Sequence, residues 1–288
     1  MLHTIAIIQA RMSSSRLPDK VLLDIGGRPM LQWVVERTRR ARTISQVVVA
    51  TTVDPSDDPV ADFCRSQDIA FARGSVHDVL DRYYQVAKEC EADVIVRITA
   101  DCPFIDPGLI NHTVRALFSI NLDVGFSVDN SQLPIANFQF VTNRLPQPWW
   151  RTYPIGLDTE AFTFGVLEQA WREANESHQR EHVTPYFYDG IPVNDLHFSA
   201  NKSSLATSES PRGFKVGLLH HTEELGHHRW TVDTPEVLKL VREIVTRLPD
   251  DNFTWLDVLA LFKREPDLAQ INATVHHKTH LDVDERPR

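Results

Sequence analysis

Short apolar runs rich in β-branched residues alternate along this chain with stretches of helical spacing. Residues 5–8, 47–50 and 94–98 are predicted to be buried strands, and residues 79–90 carry apolar side chains at every third or fourth position. This alternation is typical of a mostly parallel sheet covered by helices, so an α/β fold is expected. Few other folds accept continuous apolar strands separated by amphipathic helices.

Several helix starts are marked by a capping side chain placed before a proline. Asp58-Pro59, Asp106-Pro107 and Thr234-Pro235 have this pattern, because proline suits the first helical position. Residues 229–232 are predicted to be a strand that leads into the last of these helices. Residues 200–213, which are rich in serine and have no apolar period, are predicted to be a flexible insertion.

The length of 288 residues is sufficient for one large domain with a full core. We expect that domain to span residues 1–272, with a smaller subregion at about 130–228 and a polar tail at 273–288. Three cysteines are too few and too scattered for a disulfide framework, which favours a reduced setting. No leader pattern or membrane-length apolar run is recognised, so a cytoplasmic protein without a membrane partner is expected.

The charge balance argues against a nucleic-acid partner. The 30 Lys and Arg residues face 39 Asp and Glu residues, for a formal net charge of −9. Binding to a polyanion requires a basic footprint, which this balance does not favour. A single small anionic ligand in a locally basic pocket remains compatible with it.

A cationic loop follows the first predicted strand. Residues 9–20 contain Arg11, Arg16 and Lys20 interleaved with three serines at 13–15. In open α/β sheets ligands bind beyond the carboxyl ends of strands, and guanidinium, ammonium, hydroxyl and loop N–H groups together suit phosphate. The loop has neither of the usual glycine-rich ATPase and dehydrogenase patterns. It is therefore predicted to bind a phosphate-bearing ligand, the alternative being a solvated basic loop.

Two aspartates stand where predicted strands end. Asp101 closes the strand at 94–98, and Asp233 follows the one at 229–232. If these ends converge, both carboxylates face the cationic loop, and Mg²⁺ typically takes one or two protein carboxylates plus phosphate oxygens. The alternative is that Asp233 only caps the helix beside it, a role that Thr234 could also fill.

Six ordered motifs carry a resemblance to a known family. They are residues 10–30 (ARMSSSRLPDK, then GGRPM), 73–84 (RGSVHDVLDRYY), 97–103 (RITADCP), 151–160 (RTYPIGLDTE), 180–186 (REHVTPY) and 231–236 (TVDTPE). Together they resemble the sugar-acid cytidylyltransferases, which include the CMP-sialate and CMP-octulosonate synthetases. The likeness is greatest to the spore-coat polysaccharide biosynthesis branch and covers roughly residues 3–270.

The resemblance implies a Rossmann-like three-layer α/β/α nucleotidyltransferase fold, usually in a homodimer. It implies a reaction in which CMP passes from CTP to a small acidic acceptor and pyrophosphate is released. Arg11, Arg16, Lys20 and Asp101 would then be the catalytic residues, and Asp101 and Asp233 would hold Mg²⁺. The residues implied in nucleotide binding are Ala10, Arg11, Ser14, Lys20, Arg73 and Ser75, with Arg73 and Ser75 near the nucleoside.

The acceptor side of the resemblance lies in the second half of the chain. Arginine suits a carboxylate or phosphonate, and acidic side chains suit hydroxyl or amino groups. For residues 180–182, a surface salt-bridge cluster is the alternative. The implied acceptor-binding residues are Arg151, Asp158, Glu160, Arg180, Glu181 and His182.

Three other functions compete with CMP transfer to a sugar acid. One keeps CTP but takes a phosphonate or another small acid in a natural-product pathway. A nucleotide-sugar-dependent glycosyltransferase commonly uses an Asp-x-Asp pair, and the only such pair, Asp282 and Asp284, lies in the tail. A non-catalytic nucleotide-binding regulator would have less reason to retain both the cations and the aspartates.

Three weaker signals point to structure more than to chemistry. The 13 histidines show no metalloprotease spacing, which disfavours a zinc site. Trp149 and Trp150 are interpreted as an interface in preference to an acceptor-stacking pair. Cys102, beside Asp101, is interpreted as a small buried neighbour because no activating histidine is close in sequence.

Overall fold

The computed structural model describes residues 2–118, 136–146, 149–196 and 204–275. The strands are β1 (Thr4–Gln9), β2 (Asp24–Ile25), β3 (Arg28–Pro29), β4 (Gln46–Thr52), β5 (Phe71–Gly74), β6 (Val94–Thr99), β7 (Phe140–Thr142), β8 (Glu160–Thr163), β9 (Leu205–Glu209) and β10 (Lys215–Leu219). The α-helices are α1 (Met30–Arg39), α2 (Asp58–Ser66), α3 (Val79–Glu89), α4 (Pro107–Leu117), α5 (Phe164–Glu173), α6 (Ser177–His182), α7 (Pro185–Tyr188), α8 (Pro235–Arg247) and α9 (Trp255–Arg264).

Eight of the described strands form one mixed, mostly parallel sheet in the order β5-β4-β1-β6-β8-β7-β10-β9. Strands β5, β4, β1 and β6 pair in parallel, whereas β8 pairs antiparallel with both β6 and β7. β10 is parallel to β7, and β9 is antiparallel to β10. Only β8 and β9 therefore run against the common direction, and the expected mostly parallel α/β fold is confirmed.

The core lies on both faces of this sheet. Ile5 and Ile7 of β1 pack into one apolar cluster, and Ala6 and Ile8 pack into the other, all four with 0% exposure. Helices α1, α2, α4, α8 and α9 contribute to the second cluster, and α3, α5 and α7 to the first. Burial on both faces explains why the strand sequence is continuously apolar and not alternating.

Two local predictions were wrong. Residues 205–209, inside the predicted flexible insertion, form β9 at the edge of the sheet and pair with β10. An edge strand keeps many polar side chains in solvent, so its apolar signal is weak. The predicted strand at 229–232 makes only one bridge, between Ile155 and Arg229.

Two of the three predicted helix caps are confirmed, and the predicted cap at Asp58 is wrong. Asp106 caps α4 by accepting the N–H groups of Gly108 and Leu109, and Thr234 caps α8. Helix α2 begins at Asp58 itself, with Asp57 in the N-cap position. Because Thr234 caps α8, Asp233 is released from the structural role that was its alternative.

Within the described ranges, no helix combines the length and apolar character that a membrane span requires. The Asp282 and Asp284 pair and most of the predicted tail lie outside the described residues. The domain boundaries at 272 and at about 130–228 stay predictions.

The half-buried imidazole of His228 gives one prediction for stability against pH. Burial, with a smaller contribution from the charge of His227, lowers the pKa of His228 to about 4 from 6.5. The unfolded chain therefore binds the proton more readily than the folded chain between these values, so stability is lost as pH falls through this window. When the pH is lowered from about 7.5 to about 5, the wild type should lose about 1 kcal/mol more unfolding free energy than His228→Gln. This value allows for the partial exposure of the imidazole.

Urea unfolding at the two pH values measures this difference. His77→Gln, which changes an exposed histidine, is the matched control and should keep the wild-type pH dependence. An unchanged pH dependence in the His228 variant would contradict the assignment.

Candidate active site

The cationic loop is a closed turn that rises from the carboxyl end of β1. The N–H of Ala10 donates to the Ala50 carbonyl at 3.1 Å, which continues the pairing of β1 with β4. The N–H of Asp19 then donates to the Met12 carbonyl at 3.0 Å and closes the turn. Asp19 has a φ of 58°, a left-handed conformation that aspartate tolerates better than most residues. The turn therefore presents residues 13–18 beyond the strand.

A cavity of about 250 Å³ lies against this loop. Cationic, hydroxyl and carboxylate groups dominate its lining, which suits a phosphorylated ligand better than an apolar one. The lining residues are Gln9, Arg11, Ser13, Ser14, Ser15, Arg16, Lys20, Val21, Thr99, Ala100, Asp101 and Asp233. We call this space the loop cavity.

The two predicted aspartates, Asp101 and Asp233, both line the loop cavity. The N–H of Val232 donates to the Asp101 carbonyl at 2.8 Å, which joins the two segments that carry them. Lys20 Nζ lies 2.6 Å from Asp101 Oδ2. Asp233 Oδ2 accepts from both Arg16 and Arg229. The predicted convergence of the two segment ends is therefore present in the structure.

Burial and the neighbouring cations act in opposite directions on these carboxyl groups. Burial alone would raise the pKa of Asp101, but the Lys20 ammonium and hydrogen bonds from Lys20 and Thr99 outweigh it and hold that pKa below its ordinary value. Burial raises the pKa of Asp233 despite Arg229 and Arg16, and the charge of Asp101 adds to the rise. Asp101 is therefore firmly ionised, whereas a further cation would stabilise the ionised form of Asp233.

A hard cation fits this donor set. Asp233 Oδ1 is buried and makes no hydrogen bond to any described residue, so one oxygen is left to take a ligand. Across the described ranges, no group of three or more His, Cys, Asp or Glu side chains could hold a metal ion. A cation here would therefore rest on two carboxylates and on oxygens of the bound ligand, as Mg²⁺ commonly does.

A second cavity of about 190 Å³ adjoins the first. Both are lined by Arg16, Thr99, Asp101 and Asp233, so the two spaces meet at the carboxylate pair. The lining that belongs to the second cavity alone is Arg97, Cys102, Arg144, Ile155, Asp158, Glu160, His182, Thr184, Tyr188, Arg229 and Thr231. We call this space the side cavity.

An ion pair between neighbouring strands forms part of the side cavity wall. Arg97 of β6 and Glu160 of β8 are register partners, and Arg97 Nη1 lies 2.8 Å from Glu160 Oε2. Arg97 also donates to Gln9 at 3.2 Å, and Thr184 donates to Glu160 at 3.2 Å. These bonds engage both charged groups within the protein. Arg97 and Glu160 therefore form the cavity wall more than they provide groups that bind a ligand.

Arg144 contacts this wall less closely. Its Nε lies 3.4 Å from Asp158 Oδ2 and its Nη1 lies 3.9 Å from Glu160 Oε1. The Nε is buried and forms no hydrogen bond to a described residue, although 23% of the side chain is exposed. Arg144 is therefore a cation in the side cavity whose hydrogen-bonding capacity is not filled by close contacts.

The predicted acceptor-binding residues separate into two groups. Asp158, Glu160 and His182 line the side cavity. Arg151 is outside its lining and makes a two-pronged pair with Asp158, at 2.7 and 3.0 Å. Arg151 therefore holds the Asp158 carboxylate from outside the side cavity.

Arg180 and Glu181 also lie outside the described lining of the side cavity. The Arg180 guanidinium pairs with Asp78, the N-cap of α3, and donates to the Trp171 carbonyl at 2.8 Å. Arg180 thus joins α6 to the start of α3. A direct acceptor contact for Arg180 and Glu181 stays a prediction.

The predicted nucleoside residues support loops beside the loop cavity. Arg73 donates to the Thr52 and Asp54 carbonyls at 2.7 and 2.9 Å and pairs with Asp58 at 2.7 Å. The Ser75 hydroxyl accepts the N–H of Asp78 at 3.1 Å. Neither residue is in the described lining, so their contact with a nucleoside stays a prediction.

Cys102 behaves as a structural neighbour. It is buried, with its sulfur 3.2 Å from the Thr99 hydroxyl and 3.6 Å from Asp101 Oδ1. Burial, followed by the charges of Asp101 and Asp158, raises the pKa of its thiol. A thiol that stays protonated is a poor nucleophile.

Sequence reasoning missed three arginines at this site. Arg97 offered a signal, since it is a charged residue inside an apolar strand. Arg229 precedes Asp233 by four residues but lies outside any described helix, where that spacing predicts no contact. Arg144 offered none, because only the turn after β7 aims it into the side cavity.

Sequence comparisons identify the family to which this chain is similar. Residues 5–192 match the family described as Cytidylyltransferase. An uncharacterised protein of Methanocaldococcus jannaschii is 34% identical over 283 residues, covering 98% of this chain and 99% of that protein. A 3-deoxy-manno-octulosonate cytidylyltransferase of Geobacter sulfurreducens is 39% identical over 256 residues, covering 83% and 97%. The spore coat polysaccharide biosynthesis protein SpsF of Bacillus subtilis is 28% identical over 269 residues, covering 91% and 95%.

Solved structures show the same architecture. A cytidylyltransferase from Leptospira borgpetersenii superposes with a TM-score of 0.76 at 27% identity, covering 96% of this chain and all (100%) of that one. A CMP-2-keto-3-deoxy-manno-octonic acid synthetase complexed with CTP superposes with a TM-score of 0.55 at 19% identity, covering 85% and 99%, a likeness of fold. With the family match over most of its length, this chain belongs to the cytidylyltransferase family and is a nucleotidyltransferase.

Proposed function

We propose that this enzyme transfers CMP from CTP to a sugar acid and releases pyrophosphate, with Mg²⁺ held by Asp101 and Asp233. The observation that carries the proposal is the meeting of the two cavities at this carboxylate pair. A nucleotide in the loop cavity and an acceptor in the side cavity would bring their reacting atoms to that boundary. Family membership leaves the glycosyltransferase and the regulator alternatives without support.

The cations of the loop carry the phosphate side of the proposal. Lys20 and Arg16 are paired with Asp101 and Asp233, and both line the loop cavity. When a triphosphate enters, each cation can exchange its carboxylate for phosphate oxygens, and the carboxylates become free to bind a metal ion. Mg²⁺ bound there would neutralise charge that builds on the departing pyrophosphate. Arg11 adds a further cation to the same lining.

The reaction needs positioning more than it needs a covalent intermediate. An ionised acceptor oxygen in the side cavity attacks the α-phosphorus, a new P–O bond forms, and the bond from the α-phosphorus to the bridging oxygen of the leaving pyrophosphate breaks. Arg16 lines both cavities and can hold the phosphate against the incoming oxygen. Holding both partners in line supplies most of the rate enhancement expected of such a site.

The acceptor proposal rests on charge and on relatives. Arg144 offers donor capacity to an anion, while Asp158 in the same lining suits hydroxyl groups. The Geobacter relative is named for a sugar acid and the Bacillus relative for polysaccharide biosynthesis, which favours a sugar acid here. Because a guanidinium binds carboxylate and phosphonate alike, phosphonates are the second acceptor class to test. The homodimer stays a prediction that sedimentation velocity tests.

Asp101→Asn tests the metal site. The amide keeps the shape of the side chain but loses the charge that pairs with Lys20 and would bind Mg²⁺. We expect Mg²⁺-dependent pyrophosphate release to fall by about a hundredfold or more, with the fold retained at the assay temperature. Asp267→Asn, at an exposed position, is the control. Wild-type activity in Asp101→Asn would remove Asp101 from the metal site.

Arg144→Ala and Arg151→Ala test the acceptor side. Loss of a charge-assisted hydrogen bond should raise the acceptor KM of Arg144→Ala about tenfold to a hundredfold, while the KM for CTP changes little. Arg151→Ala should raise the acceptor KM by a smaller factor, because it acts through Asp158. Steady-state kinetics with each substrate varied in turn separates the effects. Equal changes in both KM values for either variant would rule out that residue's acceptor role.

A further inference from the structure

Asp57 occupies a helix N-cap position without capping the helix. It lies at the end of the single 3₁₀ turn Pro55–Asp57 and directly precedes α2, yet its side chain accepts no N–H from α2. The other two aspartates at N-caps of described α-helices, Asp78 and Asp106, both accept such a bond. Giving up a cap costs stability, so another partner must hold the Asp57 carboxylate.

That partner is the loop that lines the loop cavity. Asp57 Oδ1 accepts the N–H of Met12 at 2.6 Å, and Asp57 Oδ2 accepts the hydroxyl of Thr52. The Met12 carbonyl in turn accepts the N–H of Asp19. Both backbone polar groups of Met12 are therefore engaged, and residues 13–18 project from this fixed point.

The Asp57 carboxylate also lies in a charged environment. It is only 2% exposed. Arg82, which is 4% exposed, has its Nε and Nη1 buried without a hydrogen bond to any described residue. Burial lowers the pKa of Arg82, the charge of Arg11 lowers it further, and the charge of Asp57 opposes this. A buried negative charge beneath the loop thus offsets cations that would otherwise repel one another.

We propose that Asp57 is a positioning residue that holds the phosphate loop in its binding shape before the nucleotide arrives. Its carboxylate fixes Met12, and Met12 fixes the base of the turn that carries three serines and Arg16. A loop already ordered loses less conformational freedom on binding, so nucleotide affinity gains without a direct contact. The identity of the nucleotide rests on the proposed function, whereas the ordering of the loop does not.

The test compares Asp57→Ala, Asp57→Asn and Thr52→Val with wild type. Asp62→Asn, which changes an exposed aspartate on α2, is the matched control. Amide hydrogen exchange of peptides covering residues 10–20 is measured without nucleotide. The Kd for CTP with Mg²⁺ is measured by calorimetry well below the melting temperature of each variant.

We expect faster loop exchange and a Kd raised about tenfold or more in Asp57→Ala, with the acceptor KM little changed. Asp57→Asn should retain more affinity than Asp57→Ala, because its amide oxygen can still accept the N–H of Met12. Thr52→Val should lie between the alanine variant and wild type.

Unchanged loop exchange in Asp57→Ala would overturn the proposal, as would a lowered melting temperature with wild-type Kd. If Asp57→Ala does not fold, Asp57→Asn and Thr52→Val decide by the same two readouts. If wild type binds another nucleotide in place of CTP, the proposed function fails, and the exchange data still judge Asp57.

Discussion

Asp101 and Asp233 lie side by side because Val232 donates its backbone N–H to the Asp101 carbonyl. Two carboxylates in a partly buried corner repel one another and lose solvation, so the arrangement requires cations. Lys20 and Arg16 supply them from the loop after β1. These ion pairs therefore connect the loop after the first strand of the sheet to the segment before α8.

On the proposed function, the same balance links the loop cations to the nucleotide and the metal ion. Lys20 and Arg16 are bound to carboxylates that a metal ion would need, and a triphosphate is the ligand best able to draw them away. We therefore expect the metal ion and the nucleotide to bind together, because the nucleotide draws the cations away from the carboxylates that the metal ion needs. Arg229 differs, because it is 7% exposed and remains beside Asp233 as a fixed neighbour. In the proposed reaction the loop cations exchange their carboxylate partners, and Arg229 keeps Asp233 in position.

Much of the framework could be predicted from the sequence, because it depends on local patterns. The strand at residues 5–8 was recognised because burial on both faces demands continuous apolar residues. The cationic loop was recognised because its charges lie close together in the sequence. The convergence of Asp101 with Asp233 was expected only if both followed strands that meet, and in the structure it rests on the hydrogen bond from Val232 to the Asp101 carbonyl. Edge strand β9 was missed because solvent exposure removes the apolar signal.

What the sequence could not provide is the direction in which single side chains point. Acceptor binding by Arg151 stays a prediction, and the sequence did not show that its side chain pairs with Asp158 from outside the side cavity lining. Arg144, without any sequence signal, lies in that cavity. The sequence predicts a helix cap at Asp58, and only the structure shows that the neighbouring Asp57 accepts the N–H of Met12. Such roles depend on tertiary geometry that no spacing encodes.

The most direct test of the account is pyrophosphate release by the wild-type enzyme with Mg²⁺ and each of the four nucleoside triphosphates, against a panel of sugar acids and phosphonates. Release is expected with CTP, dependent on Mg²⁺ and on one sugar acid of the panel. Release with a phosphonate alone would change the acceptor class and leave CMP transfer in place. Failure of CTP to bind or react, while another nucleotide does, would contradict CMP transfer by this enzyme.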